Sequence, residues 1–215
     1  YTGATTVKAG TMEYAGASGH SQNSTYTIGA ASGDNGTLNI ATSGTITASA
    51  GGNGAFLVGN ASGATGTVNM SSGALTLAAG KEAYVGAAAG GTGTFNLSGG
   101  TVNSSGWTVV GLNGSTGTMN VSGGLWKNTS TGTHFVIGAW GTGNVGKVYV
   151  TGGTIESVGN FYLGQGGGTT SGSSLLEISS AGTVKTGTLR FNDANLSFWQ
   201  GTINMSGGNL WANTI

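Results

Sequence analysis

Ala83-Tyr84-Val85-Gly86, followed by Gly93-Thr94-Phe95-Asn96-Leu97-Ser98-Gly99-Gly100-Thr101-Val102, is the stretch that decides the fold. It reads as a short apolar run ending in Gly, then Gly-Thr-apolar-Asn-apolar, then Gly-Gly-Thr-apolar. The phrase returns seven times along the 215 residues. Self-similarity at a period of about 20–50 residues marks a solenoid, in which each unit buries its apolar face only against its neighbours.

Working outward from that rung, the strand-terminal glycines fall at Gly29, Gly59, Gly86, Gly111, Gly138 and Gly164, with intervals of 30, 27, 25, 27 and 26. The Gly that opens the second phrase recurs at Gly36, Gly66, Gly93, Gly117 and Gly146. Each repeat carries three short runs of two-residue alternation and no sustained helical period. Three strands per turn predict an all-β fold: a parallel β-helix of triangular section, right-handed by default, with about 7–8 rungs of roughly 27 residues in a single domain 1–215. At about 4.8 Å per strand spacing the rod would be about 35–40 Å long.

Alternation assigns the interior. The first strand offers Ile28, Val58, Val85, Val110, Ile137, Leu163 and Phe191, with Tyr26, Phe56, Ala83, Thr108, Phe135, Phe161 and Leu189 two residues earlier. The second strand gives pairs from Leu38/Ile40 to Leu176/Ile178, and the last such pair is read as Leu196/Phe198. The third gives Met12, Ile46, Leu75, Val102, Trp126, Ile155, Val184 and Ile203. Absence of Pro fits, because interior strands need every N–H for the ladder.

Composition narrows function by exclusion. The chain has 46 Gly, no Pro and no Cys, and six basic residues balance six acidic ones. A charged fraction of 6%, against about 25% in typical domains, offers no basic footprint for nucleic acid. It also leaves little charge repulsion against self-association. No apolar run is long enough to insert into a membrane. Without Cys there is neither a disulfide nor a thiolate metal site. The chain opens at Tyr1 rather than Met, the expectation either for a processed product whose secretory signal has been removed or for a trimmed sequence.

No enzymatic constellation assembles, and no cofactor is expected. His20 and His134 occupy unrelated rung positions, and Asp34, Asp193, Glu13, Glu82, Glu156 and Glu177 scatter over different columns. Glycoside hydrolysis needs two carboxylates flanking one bond. The charges that do align, Lys127, Glu156 and Lys185, form a surface ladder. Asn39, Asn69, Asn96 and Asn120 form an outward amide column that can hydrogen-bond along the rod.

Two features point to contacts. The outward column of the first strand reads Leu57, Tyr84, Val109, Val136 and Tyr162 where a solvated face should be polar. Either another part of the chain covers it, or it is a stripe for lateral contacts or a ligand. The ends are the second feature. Thr5-Thr6-Val7 aligns with second strands and Gly10-Thr11-Met12 with third strands, while Leu210-Trp211-Ala212-Asn213 parallels the first strand Leu189-Arg190-Phe191-Asn192. The chain is thus predicted to begin and end in partial rungs that complete one another between copies. Tyr1, Thr5, Val7, Met12, Leu210, Trp211 and Ile215 would form that joint.

The phrase Val-Gly…Gly-Thr-apolar-Asn-apolar-Ser-Gly-Gly-Thr-apolar resembles the Gly-rich repeats of bacterial autotransporter passengers and of exported surface proteins of the PEP-CTERM type, over roughly residues 24–203. The resemblance implies a bacterial extracellular or cell-surface β-helix with a structural or adhesive role. Two expectations follow: a non-enzymatic subunit stacking head to tail into a filament, or a surface adhesin binding a cell-surface or matrix polysaccharide through an outward aromatic face.

Overall fold

The computed structural model describes residues 3–16, 20–50, 54–166, 171–191 and 198–215. Among these there is no helix, and every described strand pairing is parallel. The strands form one β-solenoid of about 7 turns at roughly 27-residue spacing.

Three ladders build its faces. The first runs Thr5–Val7, Tyr26–Ile28, Gly54–Val58, Glu82–Val85, Thr108–Leu112 and Phe135–Ala139, then the later halves of Thr154–Gln165 and Thr183–Phe191. The second runs from Ala9–Gly16 through Thr92–Leu97 and Thr116–Val121 to Ser171–Ile178 and Phe198–Met205. The third runs from His20–Ser24 through Thr101–Ser104 and Leu125–Asn128 to Asn209–Thr214. Successive rungs match residue for residue: Ala83 faces Thr108, Phe95 faces Met119 and Val102 faces Trp126.

Between the terminal rungs the inward columns are buried as the alternation requires. One aromatic ring per rung threads the core, changing face as it climbs: Tyr14, Tyr26, Phe56, Phe95, Trp126, Phe135 and Phe161 are in successive ring contact at centroid distances of 4.8–6.4 Å. Small residues complement the large ones within a rung. Ala83 shares its turn with Phe95, and Thr108 shares its turn with the fully buried Trp126, whose Nε1 donates to Thr108 Oγ1 at 3.1 Å. A buried indole N–H needs such an acceptor. This explains the polar Thr108 in the first-face column.

Both ends of the alignment need correction. Thr5, Thr6 and Val7 pair with Tyr26, Thr27 and Ile28, so they belong to the first face rather than the second. Met12 pairs with Leu38 on the second face, not the third. At the other end Ile203 and Met205 continue the column of Leu176 and Ile178, while Leu210 follows Val184 on the third face. Leu196 lies outside the described residues, and Phe198 is in register with Ser171. The partial rungs predicted at the ends are therefore not what the register shows: the outermost described strands are a complete first-second-third set at each end.

Candidate functional site

Among the described residues, the inward side chains of the last rung are covered from one side only. Leu163 and Ile178 are fully buried, whereas the next residues in their columns, Phe191 and Met205, are 49% and 50% exposed. Ile203, Leu210 and Ala212 are half-covered and pack on the core from one side only. At the opposite end Thr5, Val7 and Tyr14 are buried and Met12 is half-covered. Ile215 is exposed beyond the last strand, and Tyr1 lies outside the described residues. Trp211 is not part of the inward set. It follows Lys185 in register, so it projects from the outer third face.

The outward stripe of the first face is mostly not open surface. Val109 and Val136 are fully buried and Tyr162 nearly so, forming with Leu112 and Ala139 a second apolar cluster outside the barrel. Leu57 and Tyr84 are half-covered. The cover comes from neighbouring columns. Trp107 and Trp140 stack at 5.4 Å with an interplanar angle of 26°. His134 packs edge-on to Trp107 at 4.6 Å and to Tyr162 at 5.2 Å. Asn160 Nδ2 donates to Tyr162 Oη at 3.0 Å, and Arg190 Cζ lies 5.8 Å over the Tyr162 ring. The stripe is thus the floor of an aromatic roof, and Val109, Val136 and Tyr162 are buried within one copy.

Electrostatics follow the cover. Burial lowers the His134 pKa; a backbone hydrogen bond at Thr133 opposes the shift and the Arg190 charge adds to it. Burial raises the Tyr84 pKa, reinforced by its hydrogen bond to the Glu82 carboxylate and by that charge. These shifts keep both groups neutral near pH 7, which suits an apolar cover.

A groove of about 520 Å³ crosses the outer third-to-first corner of the last rungs. A register shift opens it: Ser157 pairs with Thr186 and Asn160 with Thr188, so Val158 and Gly159 oppose Gly187 alone. Such a bulge bends the strand and re-aims side chains. Val158 is turned outward and is 44% exposed, and Trp211 beside it is 63% exposed. The rim carries Glu156, Lys185 and Asn213. Lys185 Nζ stands 3.2 Å from Glu156 Oε1, the in-register charge pair expected from the column. Beneath, Thr186 Oγ1 donates to Gly159 O at 3.1 Å, so the floor is internally satisfied.

No protein family, curated protein or solved structure matches this chain. Function rests on the geometry.

Among the described residues no three metal-ligating side chains cluster, and no helix is long and apolar enough to cross a membrane. Column reading had missed the roof and the groove. Trp107 and His134 share parity with the outward stripe two residues upstream, which was an available signal. Trp140 carries none, because its backbone sits at φ 43° after the Gly138 corner. The extra corner residue at Val158 shows only when rungs are paired atom by atom.

Proposed function

We propose that the chain is an extracellular structural subunit that stacks end to end, the last rung of one copy on the first rung of the next, into a rigid fibre. The half-exposed apolar terminus at Phe191 and Met205 carries this reading. Placed in register, Phe191 would lie over Val7, Ile203 over Met12 and Met205 over Tyr14 of a second copy, because each pair occupies the same column. All three faces would continue without an offset, and the open strand edges would find partners. Such a heterologous contact does not close on itself, so it propagates. The Gly-rich, weakly charged composition and the resemblance to bacterial surface repeats support the extracellular placement.

Magnitudes set the strength of the joint. Full burial of Phe or Met is worth about 1.5–3 kcal/mol each, and these two are already half-covered. Association costs about 4–15 kcal/mol in lost freedom. The apolar contact alone does not suffice, so the strand edges must supply the remainder and assembly must depend on concentration. Negative-stain electron microscopy of the purified chain tests this. Thin unbranched filaments are expected at high concentration, lost in Phe191→Asp and Met205→Asp and kept in Trp211→Ala. Discrete rods at every concentration would overturn the reading, as would filaments that survive Met205→Asp.

A further inference from the structure

We infer that the corner groove lined by Trp211, Val158, Glu156, Lys185 and Asn213 is a binding site for a neutral oligosaccharide. The inference does not rest on end-to-end stacking, since its walls come from consecutive rungs of one copy.

Three observations converge. The outward column that contains Trp211 is otherwise polar: Thr47, Thr76, Asn103, Lys127, Glu156 and Lys185 precede it rung by rung. An indole in that column places the largest apolar side chain where the fold asks for a solvated one. At 63% exposure Trp211 contributes little to the core, which Leu210 and Ala212 serve from the same strand. The bulge then brings Val158, a second exposed apolar group, into the same groove. Gly187 keeps the floor bare: a Cβ there would come within 2.6 Å of Val158 O.

The chemistry of the rim selects the ligand. A pyranose ring has an apolar C–H face that packs on an indole and a hydroxyl periphery that needs hydrogen-bond donors and acceptors. Trp211 supplies the platform, the Glu156 carboxylate accepts, the Lys185 ammonium donates, and the Asn213 amide does both. Because Glu156 and Lys185 pair at 3.2 Å, the rim has no net charge, and a charged polymer would have to break that pair to bind. The volume of about 520 Å³ lies within the range of about 300–1,000 Å³ for small-ligand sites.

Fluorine NMR of 5-fluorotryptophan-labelled protein tests the site, because the five indoles report separately. The Trp211 signal is assigned by its loss in Trp211→Phe. Cellohexaose, mannohexaose, galactohexaose and chitohexaose are titrated in turn. At least one is expected to shift Trp211 saturably while the buried Trp126 stays fixed. Trp211→Ala abolishes binding, and Glu156→Gln weakens it about tenfold, the loss of one charge-assisted hydrogen bond. Met205→Asp, which removes the stacking end, leaves the titration unchanged, so failure of the fibre reading and failure of this one are separable. A Trp211 signal that none of the four moves at millimolar concentration would falsify the inference. So would a response confined to Trp107 and Trp140, which would place the sugar on the roof instead.

Discussion

Five successive rungs, from Gly29/Gly36 to Gly138/Gly146, place two glycines at the corner between the first and second faces. Gly86 takes φ 74°, a region that side chains disfavour. Gly93 has ordinary dihedrals, yet a Cβ on it would lie 2.2 Å from Gly86 N and 2.5 Å from Val58 O. The first glycine turns the chain and also leaves no room for a Cβ, which would lie 2.6 Å from Thr116 O, whereas the second is required by close approach alone. Sequence spacing finds both positions but attributes both to turning, because spacing carries no information about distance to the next rung. Gly93→Ala forces backbone apart and is expected to cost about 3 kcal/mol, the upper range for overpacking. Gly132→Ala, whose Cβ would meet nothing closer than Ser130 Oγ at 4.0 Å, should stay within about 0.5 kcal/mol of the parent. Urea denaturation midpoints compare the two; equal effects would remove close approach as the reason for Gly93.

Between strands, the amide column is the clearest case of sequence read directly as structure. Asn69 Nδ2 donates to Asn39 Oδ1 at 2.9 Å, Asn96 to Asn69 at 2.8 Å and Asn120 to Asn96 at 2.7 Å, all in one direction. Asn96 sits inside this ladder and Asn39 at its end. Asn96→Leu strands the Asn69 acceptor and the Asn120 donor, whereas Asn39→Leu frees only the Asn69 donor. The internal change should cost about 1–3 kcal/mol and the terminal one clearly less. Thermal melts of both variants check the order, and equal losses would mean that the amides act singly rather than as a ladder. Strand assignment at the ends was less legible. Gly-Thr-apolar is common to the second and third phrases, so Gly10-Thr11-Met12 and Gly201-Thr202-Ile203 read equally well as either. The longer Gly201-Thr202-Ile203-Asn204-Met205 matches only the second, and pairing with Ser174–Ile178 confirms it. The roof is a harder case, since alternation tells which way Val109 points but not that Trp107 packs on its cluster and Trp140 on Trp107.

Among the described residues the main contacts run within a rung and between successive rungs, so stability is a chain of nearest-neighbour terms and the ends are its weakest links. In dilute solution amide hydrogen exchange should be slowest in the central strands Thr92–Leu97 and Thr116–Val121, which have neighbours on both sides. It should be fastest in Ala9–Gly16 and Phe198–Met205, which have one. Along an edge strand only alternate N–H groups point to the open side; the others already bond inward. A second copy stacked on Phe198–Met205 would protect that open set and leave the inward set as it was. Raising the protein concentration should therefore slow exchange at alternate amides of the two terminal strands, with no change in the centre, and Met205→Asp should erase the gain. A uniform slowing along Phe198–Met205 would instead report general stiffening of the last rung. No slowing at a concentration where filaments are visible would mean that the copies join by their sides, with the edges still facing water.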